Sequence, residues 1–294
     1  MQLGFSSYSF NQRLGAGSMT IFEVIDWIAD NDGEHLEIAA VYPVADSPVP
    51  TPDSDPAFVE KVRTHAADRD LILSNLCVGA NFLPDGAGER EAEIARVKRW
   101  VDLAESLGIS RLRHDVVGPT RFEGDDSPQF DAALPVITTA AKEIAQYAAP
   151  KGITTSLENH GFFVQASERV RRVVRAVDEP NFATTLDVGN FVCVDEDSTV
   201  AVPANLPYAM IVHLKDFYIR TPEHDPGEGW FRSRGGKYLR GAIVGNGDLD
   251  LWSIGAAIRE SGYDGFVSIE FEGHEDCLIG CARGAANARR LLAA

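Results

Sequence analysis

The chain is poor in positive charge, in sulfur and in long apolar runs. Lys and Arg number 27 against 44 Asp and Glu, for a formal net charge of −17. Such a surface repels phosphate backbones and anionic lipid, which argues against a nucleic-acid partner and against a membrane surface. One stretch has a local basic excess. Residues 218–240 set Arg220, Arg232, Arg234, Lys237 and Arg240 against Glu223, Asp225 and Glu228, enough for one small anion or a sugar and too little for a duplex. No apolar run approaches a membrane span, and the first residues lack a basic segment followed by an apolar one, so neither a membrane helix nor a signal peptide is expected. The four cysteines, Cys77, Cys193, Cys277 and Cys281, include no Cys-x-x-Cys pair and read as reduced thiols of a cytoplasmic protein. Cys277 and Cys281 are one helical turn apart and read as inert buried thiols.

What is present is a repeat. Helical and strand patterns alternate along the whole chain, and several helix ends share a Gly or tight polar turn before a short β-run, as in "NDGEHLEI", "SLGISRLR", "PKGITTSL" and "GYDGFVSI". Helix starts are equally legible. Thr20 with Glu23 forms a capping box, and Asp55-Pro56 and Ser127-Pro128 each place a cap before a first-turn Pro. Ile94, Val97, Val101, Ala104 and Leu107 recur at helical spacing and form a core stripe. Strands are expected at 3–6, 35–38, 71–76, 111–116, 153–157, 183–186, 210–214 and 266–269. Parallel strands joined by helices fit an α/β (β/α)8 barrel, a TIM barrel. The competitor, a doubly wound open sheet, is weakened by the lack of G-x-G-x-x-G after the first strand. Residues 1–294 read as one barrel domain, the proline-rich stretch 45–55 being a surface loop rather than a boundary.

Active sites of such barrels lie at the C-terminal strand ends. Four successive strands deliver one donor each there: Glu158, Asp187, His213 and Glu270. Any one of them has an ordinary reading, as a loop residue, a helix cap or a core histidine. Three carboxylates converging with one imidazole, however, repel one another unless a cation sits among them. A donor set of two glutamates, one aspartate and one histidine suits a divalent metal, Mn2+ first, with Mg2+, Co2+ or Zn2+ also admissible. Around it, Lys215 alternates with His213 and shares its face, although Lys215 and Asp216 also read as an exposed ion pair. His160 and Asn159 read as site residues or as ordinary loop residues, and Asn190 either joins the site or caps a turn. His114 is either a substrate contact or a structural hydrogen-bonding group. Glu37 is a supporting or substrate-binding group, or a solvated strand end. The segment 218–240 reads as a lid, with Arg232 and Arg234 touching substrate oxygens, or as a solvated surface excursion.

The motifs "LENHG", "LDVGN", "HLKD", "GNGDLD" and "GYDGFVSIEFEG", in this order, resemble the xylose-isomerase-like barrels of the sugar phosphate isomerase/epimerase family. They cover the C-terminal half; the first half matches only in its alternation. The resemblance implies that Glu158, Asp187, His213 and Glu270 bind the metal. It also implies that Glu158 and Glu270 are the catalytic acid/base pair on opposite faces of a sugar, ketose or polyol, working through a metal-stabilised enediolate. Ketose 3-epimerases of the family carry a His three residues after the metal-binding Asp, where this chain has Asn190. The distant relative endonuclease IV uses a His-rich three-zinc site, which seven histidines and the negative charge argue against. The expected activity is an isomerase or epimerase. The alternatives are a lyase using the same site, like inosose dehydratase or a 3-oxo-glycoside deglycosidase, and a sugar-binding barrel without catalysis. A homo-oligomer, or a partner subunit closing the site, is left open.

Overall fold

A computed structural model describes residues 1–84, 87–121 and 124–293. Its strands are β1 (Gln2–Ser6), β2 (His35–Ala40), β3 (Ile72–Val78), β4 (Arg111–His114), β5 (Thr154–Glu158), β6 (Phe182–Asp187), β7 (Ala209–Leu214), β8 (Asp216–Arg220), β9 (Phe231–Arg232), β10 (Tyr238–Ala242) and β11 (Phe266–Ile269). The helices are α1 (Asn11–Gly15), α2 (Ile21–Asp30), α3 (Pro56–Asp68), α4 (Ala87–Ser106), α5 (Ser127–Ala148), α6 (Ser167–Val177), α7 (Ser198–Asn205), α8 (Leu251–Glu260) and α9 (Cys277–Ala293). Eight strands close in the order β1-β11-β7-β6-β5-β4-β3-β2, every pair parallel. The protein is therefore a (β/α)8 barrel, and the open-sheet alternative is excluded.

Local chemistry accounts for the element boundaries. Thr20 Oγ1 accepts the Glu23 N–H while Glu23 Oε2 accepts the Thr20 N–H, the reciprocal bonds of a capping box. Asp55 caps α3 ahead of Pro56. At α5 the expectation is off by one residue. Ser127 is already helical, and its N–H and hydroxyl both donate to Asp125 Oδ1. Gly108, Gly152 and Gly262 adopt φ of 72°, 70° and 74° after their helices. After α2, Asp32 takes the left-handed position at φ 56°, and Gly33 is needed for space, since a Cβ there would collide with Ile28. The α4 stripe from Ile94 to Leu107 is buried against the barrel. Among the described residues no helix is long and apolar enough to cross a membrane. All four cysteines are free thiols; Cys281 is buried and Cys277 half-buried on α9.

The segment after β7 departs from the simple loop expected. β8, β10 and β9 form an antiparallel three-stranded sheet, with Asp216–Arg220 paired along Tyr238–Ala242. Asp216 is not half of an exposed ion pair with Lys215. It is buried, and its carboxylate accepts the N–H groups of Phe217, Gly245, Gly247 and Leu249 at 2.8, 3.0, 2.8 and 3.4 Å. Burial pushes its pKa up to about 6, against the pull of those four donors on the charged form. The carboxylate thus ties the end of the sheet back to its beginning. Asp216→Ala, which strands these donors in a buried site, is expected to cost about 3 kcal/mol of stability in urea denaturation and to expose residues 218–245 to protease. A loss below about 1 kcal/mol with unchanged protease resistance would contradict this role.

Candidate metal centre and active site

The four donors are assembled by the strand ends. Glu158 and Asp187 are the last residues of β5 and β6, His213 is the next-to-last of β7, and Glu270 follows β11. One ligand atom from each lies within 4.8 Å of the others, and all four residues are buried. Three of them, Glu158, His213 and Glu270, line a cavity of 240 Å3 in the barrel mouth, whose walls also include Tyr8, Arg113, His160 and Lys215.

Each donor is fixed by its neighbours. Asp187 Oδ1 accepts the N–H groups of Gly189 and Asn190 at 2.7 and 2.9 Å. Its Oδ2 is buried and accepts no hydrogen bond; the nearest cation is Lys215 Nζ at 3.1 Å. Burial pushes the Asp187 pKa up to about 7, with Glu270 and Glu158 adding to the rise and Lys215 opposing it. Asn159 clasps the ends of β5 and β6. Its amide donates to the Asp187 carbonyl at 2.8 Å, and its Oδ1 accepts the Asp187 N–H at 2.9 Å. Glu158 receives Asn190 Nδ2 on Oε1 and pairs with Arg113 Nε through Oε2, both at 2.9 Å.

His213 is held from behind. Glu37 Oε1 lies 2.8 Å from Nε2, while Nδ1 faces Glu270 Oε2 at 3.6 Å. Burial works against charge on both Glu37 and His213. The pair nevertheless prevails, bringing the Glu37 pKa down to about 2 and raising that of His213 well above the usual histidine value. A carboxylate on one ring nitrogen orients the imidazole and leaves the other nitrogen for a cation, the arrangement found behind metal-bound histidines. Glu37 is therefore buried against His213 and is not a solvated strand end.

The donor set fits a divalent ion on the chemistry of these residues. Three carboxylates and one imidazole converge, and one carboxylate oxygen is buried with no hydrogen bond and only the shared Lys215 ammonium near it. Lys215 is the cation already among them, with Nζ 2.7 Å from Glu270 Oε2, 3.4 Å from Glu272 Oε1 and donating to Asn190 Oδ1 at 3.2 Å. Burial opposes its charge, and Asp187, Glu270 and Glu272 together raise its pKa well above the ordinary value.

The structure brings His160, Asn190 and Lys215 to the quartet. His160 lines the cavity, with Nδ1 3.4 Å from Asp115 Oδ1. It does not bring His114, Arg232 or Arg234 there. The His114 ring packs against Phe82 and Phe182, and Nδ1 bonds to the Asp115 carbonyl at 2.9 Å; burial lowers its pKa to about 4, which leaves it neutral. The guanidinium of Arg232 stacks on Tyr238 at 3.9 Å, and Arg234 pairs with Asp126 at 2.5 Å, so both are spent on tying down the accessory sheet. Residues not anticipated are Arg113, Asp115, Glu272 and Tyr8. Arg113 is buried between Asp115, at 2.8 Å, and Glu158. The period-two alternation of β4 was the available signal, since residues 111, 113 and 115 share a face that His114 does not. For Glu272 the same alternation from Glu270 would have sufficed.

Comparison with known proteins agrees with this fold. The chain is 25% identical over 190 residues to the inosose dehydratase of Lacticaseibacillus casei, a match spanning 62% of this chain and 63% of that relative. D-psicose 3-epimerase from Clostridium cellulolyticum H10, solved with D-tagatose, superposes with a TM-score of 0.75 at 17% identity over 99% of each chain. A xylose isomerase-like TIM barrel protein from Mycobacterium smegmatis, solved in complex with magnesium, superposes with a TM-score of 0.70 at 18% identity, covering 99% of this chain and 96% of that one. Residues 25–293 match the family described as the xylose isomerase-like TIM barrel, and the chain belongs to that family.

Proposed function

We propose that the chain is a divalent-metal-dependent isomerase or epimerase of a sugar, ketose or polyol. The observation that carries this reading is the meeting of four donors from four strand ends, one of whose oxygens is buried without a hydrogen bond. Glu158, Asp187, His213 and Glu270 would hold the ion. Mn2+ suits the mixed oxygen–nitrogen set best; Mg2+, Co2+ and Zn2+ also accept it. When bound, such an ion polarises a carbonyl and an adjacent hydroxyl and so acidifies the C–H between them.

The remaining work belongs to side chains of this chain. Glu158 and Glu270 enter the mouth from β5 and β11, strands separated in the barrel by β6 and β7. One carboxylate accepts the carbon-bound proton and the other returns a proton from the far face, inverting the centre. Return to the neighbouring carbon interconverts aldose and ketose. Asn190, His160 and Lys215 offer N–H groups that orient substrate hydroxyls, and Glu37 positions His213. The free thiols suit a reducing compartment such as the cytoplasm.

A second reading is a lyase that begins with the same proton abstraction. Two observations favour it: the inosose dehydratase relatives, and Asn190 where ketose 3-epimerases have His. Lys215, an ammonium 2.7 Å from Glu270, supplies the proton that a leaving hydroxyl requires.

The metal assignment is tested by calorimetric titration of chelator-treated protein with Mn2+. His213→Ala is expected to abolish tight binding, and Glu37→Gln to weaken it roughly 10- to 100-fold. Unchanged affinity in both variants would refute the site. The reaction is tested by NMR in D2O with Mn2+ and a panel of ketoses, inososes and 3-oxo-glycosides. Deuterium is expected at a carbon-bound position, and Glu158→Gln and Glu270→Gln should each suppress it by at least about 100-fold. Incorporation without loss of a substituent selects the isomerase or epimerase; release of water or an aglycone selects the lyase. Tight binding with no exchange across the panel would leave a sugar-binding barrel.

A further inference from the structure

The barrel mouth has a second chamber. A cavity of 330 Å3 adjoins the 240 Å3 quartet cavity, and Tyr8 and Glu272 line both. Its roof is the accessory sheet, contributing Phe231 from β9 and Arg240 from β10; its floor is the segment after β11, with Phe271 and Glu275. The two surfaces are built to meet. A Cβ at Gly241 would collide with the Glu272 backbone, and one at Gly229 would collide with His274, so the roof sits down at two glycines.

Arg240 is the distinctive wall group. The other basic residues of residues 218–240 are engaged: Arg220 with Asp248, Arg232 on Tyr238, Arg234 with Asp126 and Lys237 with Asp195. Among the described residues Arg240 has no carboxylate partner. Its guanidinium lies 5.0 Å from the Tyr218 ring and 4.9 Å from the Trp230 ring, which fixes its orientation without using its N–H donors. Phe231 remains 37% exposed, an apolar face presented at the mouth.

The charge of the chamber selects its occupant. Glu272 and Glu275 line it together with the single guanidinium, which disfavours a phosphate or carboxylate. Aromatic faces beside N–H donors and carboxylate acceptors suit an uncharged ring bearing hydroxyls or an oxygen link. We infer that the substrate has two rings: a carbonyl-bearing sugar at the quartet, joined through a glycosidic oxygen to a second uncharged ring, sugar or aryl, held in this outer chamber by Arg240 and Phe231. The inference rests on the reading that the reacting sugar occupies the quartet cavity.

Titration calorimetry of the Mn2+-loaded protein tests it without requiring turnover. The probes are D-glucose and D-fructose as single rings, cellobiose, maltose and maltulose as sugar–sugar pairs, phenyl β-D-glucopyranoside as a sugar–aryl pair, and D-glucose 6-phosphate as an anion. At least one two-ring probe is expected to bind about tenfold or more tightly than its single-ring counterpart. Phe231→Ala and Arg240→Ala should each remove most of that advantage while leaving single-ring affinity within about twofold, and Phe231→Tyr should retain it. A disaccharide preference identifies a sugar as the second ring, and a phenyl glucoside preference identifies an aryl group. The inference is overturned if no two-ring probe gains, if the variants weaken single-ring binding equally, or if glucose 6-phosphate binds tightest and loses that affinity in Arg240→Ala. Two-ring binding without any deuterium exchange would instead overturn the catalytic reading and leave this one standing. Exchange with monosaccharides alone, with no two-ring advantage, would do the reverse.

Discussion

Charge balance in the barrel mouth is the constraint on which the rest depends. Glu37, Asp115, Glu158, Asp187 and Glu270 are all buried within a few residues of the strand ends, and Arg113, His213 and Lys215 are buried among them. A carboxylate removed from water carries a desolvation cost of several kcal/mol unless a cation or fixed donors compensate it. Four of these carboxylates have a definite partner: Glu37 has His213, Asp115 and Glu158 have Arg113, and Glu270 has Lys215. Asp187 is the exception, with one oxygen saturated by backbone N–H groups and the other at 3.1 Å from a lysine it shares with two glutamates. The deficit of positive charge therefore falls on one member of the quartet, and that is where a divalent cation would relieve most.

This balance also accounts for the clasping that surrounds the quartet. Like charges held close together push their strands apart, so the strand ends need ties that do not depend on charge. Asn159 bridging β5 to the Asp187 backbone, and Asn190 set between Glu158 and Lys215, supply them. Neutral amides serve because each offers a donor and an acceptor without adding to the charge.

Much of this was legible in the sequence. The barrel strands could be read because each pairs apolar alternation with a helix-ending turn. The quartet could be read because four such strands in succession each end in a charged or imidazole side chain, at the barrel face where they must converge. Other features depended on contacts that a sequence does not display. Strands β8 to β10 are short and amphipathic only in each other's company, so they looked like an Arg-rich loop. His114 attracted notice as the polar end of β4, but alternation turns Arg113 inward and His114 toward Phe82 and Phe182. Lys215 and Asp216 looked like an ion pair because they are adjacent, yet adjacent residues of an extended chain face opposite sides. One enters the cavity and the other grips the loop at residues 245–249. Arg232 and Arg234 stood out by composition, and only their partners show that they serve the accessory sheet.

That back-to-back placement of Lys215 and Asp216 makes the roof a cassette. The excursion from β8 to β10 leaves the barrel at Asp216 and is locked to it again at Gly245, Gly247 and Leu249. Whatever lies between those two points can change in length and composition while Lys215, one peptide bond away, keeps its place beside Glu270. The barrel thereby keeps two tasks apart: the proposed chemistry sits at the strand ends, and the proposed choice of substrate sits in an insert whose two ends are joined at one carboxylate.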